Sequence, residues 1–123
     1  MAERVLSSPA SIPWREVRPG VMASVLTGRL EDAGSTFVVL YRTSAPVTME
    51  RHSHPGEERV TVLQGCLEIG FGETEEESRI QALGPGSYAV IPAGVPHFLR
   101  CRAGTIVQIH GVGPFETVYA KAA

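Results

Sequence analysis

Glycine and proline, 13 and 9 of 123 residues, fall in clusters that cut the chain into pieces too short for packed helices. Pro19-Gly20, Pro55-Gly56, Gly84-Pro85-Gly86, Pro92-Ala93-Gly94 and Gly113-Pro114 each read as a turn. Between them lie segments rich in Val, Ile, Thr, Phe and Tyr: 21–27, 36–43, 59–63, 67–71, 88–91, 98–101, 105–110 and 115–119 read as strands. No stretch keeps a helical apolar repeat over ten or more residues. Many short strands separated by turns predict an all-β sandwich or barrel.

The length fits one domain. Residues 1–13 read as a loose arm and 14–123 as the barrel, and no internal repeat is evident. With 43% apolar and 20% charged residues the chain has the composition of an ordered globular protein. A net charge of -2 gives no electrostatic basis for binding nucleic acid or an anionic membrane. No run approaches the ~18 apolar residues of a spanning helix, and the polar, proline-broken start lacks the apolar centre of a signal peptide. Cys66 and Cys101 read as buried thiols in a reducing cytoplasm rather than as a disulfide framework. The charge run 73–77 (Glu-Thr-Glu-Glu-Glu) reads as a solvated hairpin loop, since adjacent carboxylates without a rigid frame repel.

Chemistry concentrates in His52-Ser-His54-Pro-Gly-Glu-Glu58 and the strand that follows. Histidines two apart on an extended chain share a side, about 6.6 Å apart at ~3.3 Å per residue. Two imidazoles so placed can converge on one ion. Glu58 shares its face with Val60 and Val62 by period two, whereas Arg59, Thr61 and Leu63 face the other way. A carboxylate on an apolar face points inward and needs a counter-ion; Glu57, on the polar side, reads as solvated. Pro92 and Gly94 force a turn that delivers His97 into the next strand. A lone histidine is more often a plain surface or core residue than a ligand. Here three of four histidines join one glutamate, a mixture suited to a single divalent ion such as iron, manganese, nickel or zinc.

At these residues the chain resembles the cupin superfamily. The first cupin motif, Gly-x5-His-x-His-x3,4-Glu-x6-Gly, is matched by His52, His54, Glu58 and Gly65. The second, Gly-x5-Pro-x-Gly-x2-His-x3-Asn, is matched by Gly86, Pro92, Gly94 and His97. Pro46 stands in place of the leading glycine and Cys101 in place of the final asparagine, and neither departure touches a ligand position. The motifs span 46–101 and the strand pattern extends the likeness over 14–119. The resemblance implies a small, RmlC-like, single-domain jelly-roll barrel (a double-stranded β-helix) that pairs as a homodimer, with the metal inside near the wider mouth. It says little about the reaction, because cupins include dioxygenases, isomerases, lyases, cyclases, storage proteins and sugar-binding regulators.

Residues beside the metal must come from inward faces. Gln108 and His110 share a face of segment 105–110; turned inward they would meet substrate, with His110 as acid–base group, and turned outward they would meet solvent or a partner copy. Arg42, on a face with Val38 and Leu40, would hold a carboxylate if inward and is otherwise a surface charge. Tyr41 and Tyr88 offer a phenol to the pocket or pack in core or interface. Phe37, Phe71, Phe98 and Met49 read as apolar lining or core. There is no nucleophilic triad, phosphate-cradling loop or dinucleotide fingerprint. The leading expectation is a metal-dependent enzyme acting on a small organic molecule by iron(II)-type dioxygenase chemistry. The alternatives are a non-redox isomerase, lyase or cyclase, in which the metal polarises a carbonyl, and a non-catalytic binding module.

Overall fold

The computed structural model describes residues 4–72 and 80–119; the acidic run 73–77 lies outside them, as do residues 1–3 of the arm. After a 3-10 turn at Pro9–Ser11 the chain runs through β1 (Arg15–Arg18), β2 (Val21–Thr27), β3 (Thr36–Thr43), β4 (Val47–Ser53), β5 (Glu58–Gln64), β6 (Leu67–Phe71), β7 (Ile80–Leu83), β8 (Tyr88–Ile91), β9 (His97–Cys101), β10 (Ile106–Val112) and β11 (Val118–Tyr119). They form two antiparallel sheets, one of six strands in the order β1-β2-β3-β10-β5-β8 and one of five in the order β11-β4-β9-β6-β7. This is the jelly roll that the strand pattern and the motifs predict. No helix among the described residues is long and apolar enough to cross a membrane.

Alternation sorts each strand into an inner and an outer face. Phe37 and Val39 of β3, Val60 and Val62 of β5, Ile91 of β8 and Val107 and Ile109 of β10 turn inward from the larger sheet, and meet Leu67 and Ile69 of β6 from the smaller one. Each such side chain contributes roughly 1.5–3 kcal/mol by leaving water, so the barrel has an apolar core that does not depend on any ion.

One end of the barrel is closed by polar bonds. Thr105, 1% exposed, places its hydroxyl 2.7 Å from the Arg102 carbonyl and accepts a bond from the Cys66 N–H at 3.2 Å. Its own N–H donates to the Thr43 hydroxyl at 3.1 Å. Gly65, in the β5–β6 turn, has φ +80°, and a Cβ there would stand 2.6 Å from the Thr105 Cα. Both cysteines are free and half-buried, less enclosed than their sequence context suggests.

β4 departs from regular pairing at the opposite end. Met49 pairs with Leu99 of β9, but the next matched pair is His52 with His97, so three steps on β4 answer two on β9. That extra residue is a β-bulge. Without it, period two would place His52 outward from a strand whose Val47 and Met49 face in. With it, His52 is 1% exposed and inside.

Candidate metal centre

Three strands and two turns bring the ligand candidates together. His52 lies next to the last residue of β4 just past the bulge, His54 follows in the loop to β5, Glu58 opens β5 and His97 opens β9. The Pro92–Gly94 turn is fastened to the first motif, because the Gly94 N–H donates to the His54 carbonyl at 2.8 Å. This bond ties the segment carrying His97 to the segment carrying His54. The four side chains are 5% exposed or less: His52 1%, His54 5%, Glu58 3% and His97 0%.

Each imidazole is oriented by a backbone carbonyl. Nδ1 of His52 lies 2.7 Å from the Glu50 carbonyl oxygen inside the bulge, Nδ1 of His54 lies 2.7 Å from that of Glu116, and Nδ1 of His97 lies 3.0 Å from that of Val95. A carbonyl only accepts, so each Nδ1 carries the proton and donates it. Every Nε2 of a neutral ring is therefore left as a lone pair. One ligand atom from each of the three rings fits within a 4.8 Å group, and the ring centroids stand 4.3–5.4 Å apart. Glu58 joins them, with Oε2 at 3.4 Å from His54 Nε2 and Oε1 at 3.7 Å from His97 Nε2.

Electrostatics keep these rings neutral. Burial lowers all three imidazoles from the ordinary 6.5, His97 to about 4, and the neighbouring histidines add to the effect for His54 and His97. Burial lifts the Glu58 carboxyl to about 7. Neutral Nε2 atoms facing a carboxylate have no proton to share, and Glu58 Oε1 and His97 Nε2 have no hydrogen-bond partner. Buried polar atoms left in this state cost free energy. A divalent cation would accept all four donors at once, so the chemistry of this set fits a metal and the three-histidine cluster could hold one.

The centre opens into a cavity of about 290 Å³ that runs through the barrel between the sheets. Its walls are mostly aliphatic, with Val21, Val60, Leu67, Leu99 and Val107 among them. Met49 lines it, as the sequence suggests, and Phe37 belongs to the core. Tyr41 also lines it, and burial together with the Glu58 charge pushes its phenol up to about 12. Phe115 stacks on the His54 ring at 4.6 Å between centroids, and Tyr119 lies 5.9 Å from the His52 ring. Neither of those two was singled out from the sequence, where only their strand was visible. Arg18 was missed altogether, because its strand has no apolar period.

Other residues considered from the sequence fall elsewhere. Val107 and Ile109 take the inward positions of β10, so Gln108 and His110 face out, level with Leu40 and Val38 of β3. His110 is therefore not an acid–base group of this cavity. Arg42 alternates with the inward Tyr41 and Thr43; it faces out, and its guanidinium sits 4.6 Å above the Trp14 ring. Tyr88 is 52% exposed on the outer side of β8. Phe98 is buried but lies between His97 and the cavity-lining Leu99, on the opposite side of β9, against Gly70, where an added Cβ would fall 2.3 Å from its ring. Glu57 is on the surface, where Arg59 donates to it at 3.0 Å.

Residues 2–116 match the family model described as the ChrR cupin-like domain. No curated protein matches the chain significantly in sequence. Among solved structures, the polyketide cyclase RemF from Streptomyces resistomycificus aligns with a TM-score of 0.73 at 18% identity, over 100% of this chain and 88% of that one. The DMSP lyase DddQ from Ruegeria pomeroyi aligns at 0.67 and 21% identity, over 90% of this chain and 62% of its own. Salicylate 1,2-dioxygenase from Pseudoaminobacter salicylatoxidans, solved as adducts with gentisate, aligns at 0.62 and 16% identity, over 80% of this chain and 26% of its own. At such identities these likenesses concern the fold. The family match over most of its length, with both motifs in the described barrel, shows that this chain belongs to the ChrR cupin-like domain family of the cupin superfamily.

Proposed function

We propose that the protein is a metal-dependent enzyme acting on a small organic molecule, with dioxygenase chemistry as its reaction. His52, His54, His97 and Glu58 would hold the ion through the donors described above. A redox-active divalent ion supplies, when bound, the electron chemistry that dioxygen activation requires. The protein contributes a largely aliphatic chamber, which disfavours water beside a reactive centre, and the phenol of Tyr41, which lines the chamber and can donate a hydrogen bond to a substrate oxygen.

One observation carries the choice of reaction class. Apart from the ligand candidates His52, His54 and Glu58, no imidazole or carboxylate lines the cavity among the described residues. A lyase, isomerase or cyclase needs a group to move a proton. With His110 on the outer face, only Tyr41, Tyr119, Cys101 and Arg18 remain as titratable groups, and Tyr41 and Cys101 hold their protons through neutral pH. Redox chemistry at an ion makes no such demand. The similar structures named above, a dioxygenase, a lyase and a cyclase, support small-molecule chemistry in general without choosing among these reactions.

Metal analysis of unsupplemented protein, followed by oxygen uptake with catechols, diketones and thiols on iron-, manganese-, nickel- and zinc-loaded protein, tests this reading. Oxygen consumption with iron and none with zinc is the expected result. Sustained anaerobic turnover with zinc would assign the protein to the non-redox class. Tight ligand binding without turnover under any metal would make it a binding module.

A further inference from the structure

The cavity is polar at two places, and only one of them is the ligand cluster. Arg18 ends β1 level with Val21, and Val21 is level with Thr43 of β3. Glu58 precedes Arg59, which is level with His110 and through it with Val38, so the carboxylate belongs to the row of Phe37. Six steps along β3 lead from Phe37 to Thr43, about 20 Å along the sheet at ~3.3 Å per residue. Arg18 and Glu58 nevertheless line the same cavity. The interval between them is the aliphatic middle of the barrel.

Arg18 is the sole arginine or lysine among the residues that line this space. It forms no ion pair among the described residues, whereas Arg29 and Arg59 both do. A guanidinium presents a planar fork of donors that matches the two oxygens of a carboxylate. A phosphate dianion calls for more positive charge than one residue gives. The nearest free hydroxyl on the inner face is that of Tyr41, one row further in; Thr43 is engaged with the Arg102 carbonyl at 2.7 Å. A volume of about 290 Å³ holds roughly ten waters, and hence a molecule of about as many non-hydrogen atoms.

We infer that the ligand of this cavity is an elongated, largely apolar carboxylate whose acid group is held by Arg18, at the end of the barrel opposite the histidine cluster. The inference rests on the reading of the cavity as the substrate site, but not on the identity or presence of an ion. Arg18 is then the residue that sets charge specificity, and the apolar remainder of the molecule lies along the aliphatic middle of the barrel.

The test compares 3-phenylpropanoate with its uncharged counterpart 3-phenylpropanamide by calorimetry, on metal-stripped and metal-loaded full-length protein. Metal-stripped protein should favour the acid by about two- to fivefold, the scale of an ion pair with an arginine that stands exposed on β1. Arg18→Gln should bring the acid down to the level of the amide and leave the amide unchanged, while Arg18→Lys keeps part of the preference. Leu99→Trp, which fills the aliphatic middle, should weaken both compounds. Equal binding of acid and amide to metal-stripped protein, no binding of either, or a preference untouched by Arg18→Gln would each overturn the inference. An acid preference that arises only on metal loading and ignores Arg18 would place the carboxylate on the ion instead. Because the primary readout uses metal-stripped protein, failure of the dioxygenase reading leaves it intact, and the reverse also holds.

Discussion

Each imidazole of the cluster is held by a carbonyl before it meets anything else. The Glu50, Glu116 and Val95 oxygens fix the ring tautomers, so the three Nε2 lone pairs are presented without rearrangement. Preorganisation of this kind makes the site sensitive to the loss of one side chain. His97→Ala should abolish stoichiometric metal binding while the protein still unfolds cooperatively, because its core is aliphatic. Glu58→Gln should weaken binding by at least the roughly 10–100-fold that loss of an outer hydrogen-bonding partner costs a metal site. Glu57→Gln should change nothing, since that carboxylate pairs with Arg59 on the surface. Metal content by mass spectrometry and affinity by competition with a chromophoric chelator would read all three. Full metal content in a combined His54→Ala, His97→Ala variant would remove the assignment.

At the scale of elements, Gly65 shows how a turn sets the frame. Its positive φ and the backbone of Thr105 leave no room for a side chain. Gly65→Ala should therefore destabilise the barrel by about 1–3 kcal/mol in urea unfolding, without altering the metal donors. An unchanged midpoint would show that the β5–β6 turn adapts freely. This glycine was legible in the sequence, as were the bounds of β2, β3, β6 and β8, where β-branched and aromatic runs stop at glycine or proline. Three strands were not. β1 is Arg-Glu-Val-Arg, exposed throughout, and carries no alternation to find. β7 is a four-residue edge strand. In β4 the bulge breaks the alternation that would have marked it. The facing of Gln108 and His110 was equally out of reach, because β10 offers Ile106 to one side and Val107 and Ile109 to the other. The choice is made by Val39, Val60 and Val62, which lie on neighbouring strands rather than nearby in the chain.

For the molecule as a whole, the buried donors make stability depend on pH in a way the ion should reverse. Glu58 has a folded pKa of about 7 against an ordinary 4.5, so the folded state binds its proton more tightly than the unfolded chain does. The contribution of that group is complete below about 4.5 and is lost as pH rises through 7. The imidazoles act in the opposite sense: their lowered values cost stability as pH falls below 6.5, His97 doing so down to about 4. Near pH 6.5 the imidazoles of the unfolded chain are still half protonated, so the two trends oppose each other there. The Glu58 share of metal-free stability should fall by on the order of 1 kcal/mol, a few degrees of melting temperature, between pH 6.5 and about 8.5. It is read as the parent's melting temperature minus that of Glu58→Gln, a difference that should decline over this range in chelator. Loading with a divalent ion should turn that decline into a rise, because the ion binds the carboxylate and the neutral rings. Thermal melts of both proteins in chelator and in excess metal would decide it; a metal-free difference that stays constant or grows with pH would refute the reading of Glu58. The bulge in β4 carries a last consequence. A regular ladder there would suit the sheet better than the one present, yet it would turn His52 to the outside. Selection for a sturdier barrel and selection for a working centre therefore pull the same strand in opposite directions. Variants chosen only for thermal resistance should drift toward losing the centre at this point first.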